Sequence, residues 1–332
     1  MKITDLLNQR IAIIDGAMGT MIQKYKLSEE DYRGERFANY EHPLKGNNDL
    51  LVLTQPQIIT AIHKEFLMAG ADILETNTFN ANSISMLDYH MGNLVEELNV
   101  ASVKLAKKAV VEYQQEVENR PIFIAGAMGP TNKTASLSPD VNNPGFRAVS
   151  FDDLVACYTE QATALIDAGA DILLIETVFD TLNCKAALFA VNTLKEERGI
   201  EIPVMVSGTI TDNSGRTLSG QTPEAFWNSV AHGELLSVGF NCALGAEQMR
   251  EYIGQLSQVA GIYVSCYPNA GLPNEFGEYD DTPEGMSKII AEWCQNGWVN
   301  IVGGCCGTTP DHIRAIANEC KKFSPRPLPI VA

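Results

Sequence analysis

At residues 303–310 the chain reads GGCCGTTP, directly after the apolar pair Ile301-Val302. Thr309 before Pro310 is a helix start signal, because threonine caps helix N-termini and proline is favoured at the first helical position. The two adjacent cysteines therefore lie in a tight turn between a strand and a helix. Since neighbouring side chains of a strand point to opposite faces, both sulfurs face one point only if the flanking glycines let the backbone leave the extended conformation. The stretch predicts one strand–loop–helix unit that carries most of a metal site.

The same kind of unit recurs along the chain. Each unit opens with a short apolar run, followed by a loop and then by helical periodicity, and the eight runs are 11–15, 73–77, 122–127, 172–176, 204–207, 238–241, 262–265 and 300–303. The runs are continuous rather than alternating, which is typical of parallel strands that are covered on both faces. Threonine–proline–acid signals mark three of the helix starts, at residues 222–224, 282–284 and 309–311.

Loop lengths indicate where a site should lie. Links from a helix to the next strand are short, whereas the strand-to-helix loops are long, roughly residues 16–54, 128–150, 208–221 and 267–281. Eight units with long loops after the strands predict an α/β fold, a (β/α)8 TIM barrel with its site at the C-terminal ends of the strands. An open doubly wound sheet is the alternative, but no G-x-G-x-x-G fingerprint follows the first apolar run.

Composition restricts the class of protein. The 332 residues suit one barrel, which we assign to 1–322, and the proline-rich residues 323–332 are interpreted as a linker or tail of a longer protein. A formal net charge of −17 argues against partners such as nucleic acid or an anionic membrane. The chain shows neither a secretory signal nor a membrane-spanning apolar run, and its eight cysteines are interpreted as thiols or metal ligands. We therefore expect a cytoplasmic protein.

Cysteines follow two of the predicted strands. Cys242 comes directly after the sixth apolar run, and Cys305 and Cys306 follow the eighth. The mouths of strands six and eight are close in a barrel of this size, so three thiolates can converge on one ion, an arrangement typical of a catalytic zinc with one open position. A lone cysteine is more often a small buried hydrophobe, and an adjacent pair can form a vicinal disulfide, so both alternatives stay open.

The remaining cysteines and the histidines receive no catalytic role. The cysteines interpreted as structural are Cys157, Cys184, Cys266, Cys294 and Cys320, of which Cys266 stands at a strand end. The histidines lie on loops or helices without convergent spacing, and they are His42, His63, His90, His232 and His312.

Other polar residues also stand at predicted strand ends. The set comprises Asp15, Glu75, Asn77, Glu176, Ser207, Thr209, Asn241 and Asn269. A carboxylate at a strand end can simply cap a backbone turn, but Asp15 and Glu176 should face the barrel mouth, where an ammonium group would find partners. The glycine-rich segment that begins at Gly16 offers backbone N–H groups suited to a carboxylate ligand. We therefore expect Asp15, Gly16 and Glu176 to bind a substrate.

Several of these motifs together resemble the homocysteine S-methyltransferase family. The runs that carry the resemblance are 15–20 (DGAMGT), 46–49 (GNND), 75–79 (ETNTF), 129–131 (GPT), 176–177 (ET), 241–245 (NCALG) and 303–307 (GGCCG). Residues 32–37 (YRGERF) and 214–220 (SGRTLSG) are more specifically similar to the N-terminal homocysteine-binding module of cobalamin-dependent methionine synthase. The resemblance extends from about Arg10 to His312.

The resemblance implies a zinc-bearing barrel that binds L-homocysteine. Residue by residue, Cys242, Cys305 and Cys306 match the zinc ligands. Asp15 and Glu176 match carboxylates that hold the amino group, and Asn269 matches a neutral fourth ligand that the substrate thiol displaces.

The methyl donor is not contained in this chain, because nothing in it resembles a cobalamin-binding loop or a folate barrel. In the first interpretation methylcobalamin is presented by a separate cobalamin-binding module, with 5-methyltetrahydrofolate on a folate-binding module as the ultimate source, and the product is methionine. The alternatives are a stand-alone methyltransferase that uses S-methylmethionine or betaine and, from another class, a thiol-redox barrel that uses Cys305-Cys306 as a switch.

Overall fold

A computed structural model describes residues 1–211 and 214–329. Eight parallel strands form one sheet, and they are β1 (Ala12–Ile13), β2 (Ile73–Glu75), β3 (Phe123–Met128), β4 (Ile172–Val178), β5 (Val204–Gly208), β6 (Ser237–Gly245), β7 (Tyr263–Asn269) and β8 (Ile301–Val302). Neighbouring strands pair in the order β1-β8-β7-β6-β5-β4-β3-β2. A parallel bridge between Ile14 and Ile73 joins the two ends of this order. The sheet is therefore a barrel, which confirms the predicted fold and excludes the open sheet.

Helices alternate with the strands. The α-helices are α1 (Ile3–Gln9), α2 (Met18–Gln23), α3 (Glu29–Arg33), α4 (Leu51–Thr54), α5 (Pro56–Ala69), α6 (Ser83–Met86), α7 (Val95–Glu116), α8 (Phe151–Asp167), α9 (Thr181–Arg198), α10 (Pro223–Val230), α11 (Ala246–Val259), α12 (Pro283–Gln295) and α13 (Pro310–Cys320). Short 3₁₀ helices occupy Asn48–Leu50, Leu87–Tyr89 and Gly92–Leu94. None of the helices that the structure describes combines the length and the apolar character needed to cross a membrane.

The threonine–proline signals begin helices as predicted. The Thr222 hydroxyl accepts the Ala225 N–H at the start of α10, and the Thr282 hydroxyl accepts the Gly285 N–H at the start of α12. Both are ordinary N-caps, which satisfy a backbone donor that has no partner within the helix. Helix α13 begins at Pro310, so its first turn directly follows the predicted metal-binding loop.

The barrel interior is filled by alternate residues of the strands. One buried cluster contains Ala12, Ile14, Ile73, Ala125, Leu174, Met205, Tyr263, Tyr267 and Ile301. Ile3, Leu6 and Leu7 of α1 belong to the same cluster, so this helix closes the N-terminal end of the barrel. Because that end is plugged by side chains, a small ligand can enter only at the C-terminal end, where the long loops lie.

The segment after α13 packs against the closed end of the barrel. Arg326 is buried, and its guanidinium donates hydrogen bonds to the carbonyl oxygens of Ser257, Ala260 and Ile262. Its backbone N–H donates to the carbonyl of Val299. The division into a barrel of 1–322 and a tail of 323–332 stays a prediction, and residues 330–332 of that tail lie outside the described residues.

Candidate functional site

An open cavity of about 690 Å³ occupies the C-terminal mouth of the barrel. Two groups of titratable side chains line it. The first, called here the thiol cluster, consists of Cys242, Cys305 and Cys306. The second, called the carboxylate cluster, consists of Asp15, Glu75 and Glu176. Loops after β1, β2, β7 and β8 contribute to the wall, together with the C-terminal parts of β4 and β6, which agrees with the predicted position of the site.

The thiol cluster has the geometry of a metal site. The three sulfur atoms lie within 4.8 Å of one another, and the Sγ atoms of Cys242 and Cys306 are 3.7 Å apart. Two sulfurs bound at about 2.3 Å to a tetrahedral zinc ion would be separated by about 3.8 Å. Soft thiolate ligands select zinc over hard cations. The residues therefore fit a zinc ion held by three protein ligands with one position left for a substrate.

Cys242 reaches the cavity through a distortion of β6. The register of β6 against β7 shifts between Asn241 and Gly245. At Cys242 and Ala243 the φ angles are 61° and 59°, a left-handed conformation that is uncommon outside glycine. Such conformations cost free energy and persist where the surrounding structure holds them, often at functional sites. The bulge turns the Cys242 sulfur towards the other two thiols.

Hydrogen bonds to β7 hold the Cys305-Cys306 backbone. The Cys305 N–H donates to the carbonyl of Pro268 at 2.7 Å, and the Ala270 N–H donates to the carbonyl of Cys306 at 2.8 Å. A side chain at Gly303 would clash with the Ile14 carbonyl oxygen, so only glycine allows β8 to approach β1 so closely. The Thr308 N–H donates to the Cys305 carbonyl at 3.0 Å and closes a turn over Cys306 and Gly307, so the backbone leaves the extended conformation at the cysteine pair.

The thiols interact strongly with one another. Hydrogen bonds with Cys242 and Cys305 lower the pKa of Cys306 to about 3. The same contacts raise the pKa of Cys305 well above its usual range. The cluster therefore favours one thiolate stabilised by two thiols when no cation is bound, and a divalent ion would favour the loss of the remaining protons.

The Asn241 side chain joins the bulge in β6 to a second bulge in β4. Its Oδ1 accepts hydrogen bonds from the Ser207 hydroxyl and from the Thr177 N–H, and its Nδ2 donates to the Thr177 hydroxyl. Thr177 has a φ angle of 54° and directly follows Glu176. One buried amide thus fixes the backbone next to Cys242 and the backbone next to Glu176.

In the carboxylate cluster Asp15 and Glu176 are buried and Glu75 is half-buried, and no described residue provides a counter-ion. Asp15 Oδ2 accepts the Glu75 N–H at 3.1 Å, whereas Asp15 Oδ1 is buried without a hydrogen-bond partner in the described structure. Glu176 Oε2 accepts the Tyr267 hydroxyl at 3.5 Å. Within the described ranges no salt bridge reaches any of the three carboxylates.

Burial changes the protonation of these carboxylates. It raises the pKa of Glu176 to about 8. It also raises the pKa values of Asp15 and Glu75, and the negative charge of Glu176 raises both further. A cationic ligand would reverse these shifts, because an opposite charge nearby favours the ionised form. The cluster is therefore suited to a substrate ammonium group.

The structure brings most of the predicted site residues together. Asp15, Gly16, Glu176 and the thiol cluster all line the one cavity. In the segment that follows Asp15, the Ala17 N–H donates a hydrogen bond to the Thr308 hydroxyl at 3.2 Å. Asn269 is not among the residues that line the cavity, although its Oδ1 is buried without a partner in the described structure. The binding roles of Asp15, Gly16, Glu176 and Asn269 stay predictions.

Two tyrosines at the site were missed by the sequence analysis. Tyr267 lies in β7, which runs to Asn269 rather than ending at residue 265 as predicted. Extending the alternation from Ser265 would have identified Tyr267 as an inward residue. Tyr279 lies in the loop after β7, where its side chain hydrogen-bonds Cys306, and no local pattern marks it. Glu75 was recognised at a strand end but was not assigned a role.

The cysteines interpreted as structural are all buried and lie outside the cavity wall. Cys266 packs its sulfur 3.6 Å from the Met249 sulfur, away from the barrel interior. His312 has a structural contact: its Nδ1 accepts the Thr309 N–H, so its Nε2 donates to the Asp281 carbonyl at 2.8 Å. This bond anchors the end of the loop that carries Tyr279.

Comparison with known proteins gives the chain a family. A family model described as homocysteine S-methyltransferase matches residues 12–320. The metallated form of the homocysteine methyltransferase MmuM from Escherichia coli is 22% identical, with a TM-score of 0.74 over 95% of this chain and 98% of that chain. Its oxidized form is likewise 22% identical with a TM-score of 0.74, over 94% of this chain and 97% of that chain. The apo form has 21% identity and a TM-score of 0.68, over 95% and 97%. At this identity the likeness concerns the fold.

Proposed function

The chain belongs to the homocysteine S-methyltransferase family, and we propose that it binds L-homocysteine at the barrel mouth and activates its thiol with zinc for methyl transfer, giving methionine. The observation that carries this proposal is the convergence of the thiol cluster. Three sulfurs from two separate strand ends meet at the spacing of a tetrahedral zinc site. A substrate thiol would take the position that the protein leaves open.

The rest of the cavity suits the amino-acid part of homocysteine. Asp15 and Glu176 are two buried carboxylates without a salt bridge in the described structure, and they would hold the ammonium group. Gly16 and Met18 line the same cavity, and their backbone N–H groups would bind the carboxylate. Binding both the ammonium and the carboxylate group fixes the position of the substrate sulfur, and such positioning lowers the entropy cost of a bimolecular reaction.

The chemical task of the site is to present a thiolate. A free thiol has a pKa near 8.5, so at neutral pH most homocysteine in solution is protonated and weakly nucleophilic. A bound zinc ion supplies Lewis acidity that lowers the pKa of a coordinated thiol. Cys242, Cys305 and Cys306 would hold the ion, and Asn269 would be the neutral ligand that the substrate replaces. Tyr267 and Tyr279 line the same cavity.

We assign methylcobalamin as the methyl donor, carried by a cobalamin-binding module, with 5-methyltetrahydrofolate on a folate-binding module as the ultimate source. Two runs similar to the methionine synthase module support this choice. In the run 32–37, the Tyr32 hydroxyl donates to Asn48, which lines the cavity. In the run 214–220, the Ser219 hydroxyl contacts the backbone just after β4. Both runs therefore belong to the mouth, where a donor must enter.

Metal analysis and donor assays test the proposal together. The purified chain should contain about one zinc per molecule. It should form methionine from L-homocysteine and methylcobalamin. Turnover only with S-methylmethionine or betaine would instead assign the chain to the stand-alone alternative.

The redox alternative has its own signature. A metal-free protein with a reducible Cys305–Cys306 disulfide would support a thiol switch and contradict the zinc proposal. All eight cysteines are free thiols in the structure. We place the enzyme in the cytoplasm, where a site built from thiols stays reduced.

A further inference from the structure

Glu75 differs from the other two members of the carboxylate cluster in its hydrogen bonds. Asp15 Oδ2 accepts a backbone N–H, and Glu176 Oε2 accepts the Tyr267 hydroxyl. Among the residues that the structure describes, no side chain or backbone N–H is found to donate to the Glu75 carboxylate. Because hydrogen bonds to a carboxylate stabilise its ionised form, the described protein groups stabilise the negative charge of the half-buried Glu75 less than those of the other two.

The surroundings of Glu75 also disfavour its ionisation. Besides the thiol cluster, the titratable groups on the cavity wall are Asp15, Lys24, Asp49, Glu176, Tyr267, Glu278 and Tyr279. Lys24 is the one cation in the described part of this wall. Its side chain is exposed, and no described ion pair joins it to a carboxylate of the cluster. Burial, followed by the charges of Glu176 and Asp15, raises the pKa of Glu75 well above its usual range.

We propose that Glu75 holds a proton in the substrate-free enzyme and releases it when the ammonium group of the amino-acid substrate enters the carboxylate cluster. The inference rests on the proposed function, because it takes the ligand to be an amino acid. The O–H bond of the Glu75 carboxyl breaks, the proton passes to solvent, and the carboxylate that remains is stabilised by the positive charge of the ammonium group. Asp15 and Glu176 bind the ammonium group, and Glu75 couples that binding to pH.

The coupling has a definite sign. One proton leaves Glu75 as the ligand binds, so for this residue a higher pH favours the complex. Wherever Glu75 is protonated in the free enzyme and ionised in the complex, the dissociation constant should fall up to about tenfold for each pH unit. Glu75 is thus a residue that determines specificity for a cationic amino group, and it makes ligand binding weaker in acid.

Isothermal titration calorimetry with L-methionine tests the proposal. Methionine is the expected product and has no thiol, so no proton can come from a sulfur. The zinc-loaded full chain is titrated at about pH 6.5, where α-amino groups are protonated, in buffers of different ionisation enthalpy. The parent should release about one proton more per methionine bound than Glu75→Gln, because the other two carboxylates, whose pKa values are also raised, are present in both proteins. Glu75→Asp keeps a carboxyl group and should restore the release.

Glu65→Gln is the matched control, because Glu65 is an exposed carboxylate on α5 outside the cavity wall. It should release the same number of protons as the parent. Equal release by the parent and Glu75→Gln would overturn the inference, as would a parent that releases none. If methionine does not bind, the number of protons released per L-homocysteine bound is measured instead. It should be larger by one for the parent than for Glu75→Gln, and equal numbers would overturn the inference. Failure of both ligands to bind at all would reject the proposed function itself.

Discussion

The thiol cluster and the carboxylate cluster line one cavity, and each gathers three acidic groups for which no described residue provides a counter-ion. They differ in what holds their members. The sulfurs contact one another directly, at 3.7 Å between Cys242 and Cys306. Two of the carboxylates instead accept hydrogen bonds from the strands, such as that of the Tyr267 hydroxyl to Glu176. A tetrahedral metal ion tolerates deviations of only about a few tenths of an ångström in its ligand distances, whereas an ammonium group binds acceptors over a wider range of distances and angles. We therefore expect changes in the thiol cluster to have the larger effects.

The largest effect should come from Cys306→Ala. Lewis-acid stabilisation by a metal contributes several kcal/mol, and about 1.4 kcal/mol is tenfold in rate, so we expect a loss of activity of roughly a thousandfold or more. Zinc content, measured by atomic emission, should fall from about one per chain towards zero. Cys184→Ala, at a buried cysteine outside the cavity, should keep its zinc. Full activity of Cys306→Ala would remove the central claim.

Glu176→Gln should have the next largest effect, in the carboxylate cluster. A hydrogen bond to a charged group contributes about 1.5–3 kcal/mol, so the KM for homocysteine should rise about 10- to 100-fold. The zinc content should stay unchanged, because the residue does not belong to the thiol cluster. Steady-state kinetics with varied homocysteine measure this. An unchanged KM would show that Glu176 does not bind the substrate, while Glu65→Gln controls for the loss of an exposed carboxylate.

Gly303→Ala tests the close contact between the loop that carries Cys305 and Cys306 and the strand end that carries Asp15. The added methyl group would press on the Ile14 carbonyl oxygen, directly before Asp15. Overpacking of this kind costs about 1–3 kcal/mol of stability, and a shifted ligand loop should weaken zinc binding about tenfold or more. Urea unfolding and competition with a chelator measure the two effects. Gly261→Ala is the control, since no atom lies within 4 Å of the added group there.

The smallest effect on activity should follow Arg326→Ala, at the opposite end of the barrel. Three backbone carbonyls would lose their charged donor, so the free energy of unfolding should fall by about 1–3 kcal/mol. The zinc content and the KM should not change. A variant with unaltered stability would favour a tail that begins at residue 323 and contributes nothing to the barrel.

Some features of the site could be predicted because they are local. Glycines flank the cysteine pair on both sides, and Thr309-Pro310 starts a helix. The turn that carries the cysteines could therefore be predicted from neighbouring residues. Tyr279 could not be found in this way. It reaches Cys306 across a long loop, and nothing in its own neighbourhood marks it. The extension of β7 to Asn269 was missed because Pro268 reads as a break in the strand pattern.

By itself, the sequence determined eight strand–loop–helix units, the end of the barrel where polar residues collect, and the cysteine pair between glycines. These follow from periodicity and turn chemistry, which depend on residues close together in the chain. That Cys242 can converge with the pair was predicted from the barrel, but only the tertiary structure decided how it meets Cys306 across 64 positions, through left-handed φ angles in β6 that no local pattern requires. Only it decided that three carboxylates from separate strands line one cavity, where burial and mutual repulsion raise their pKa values.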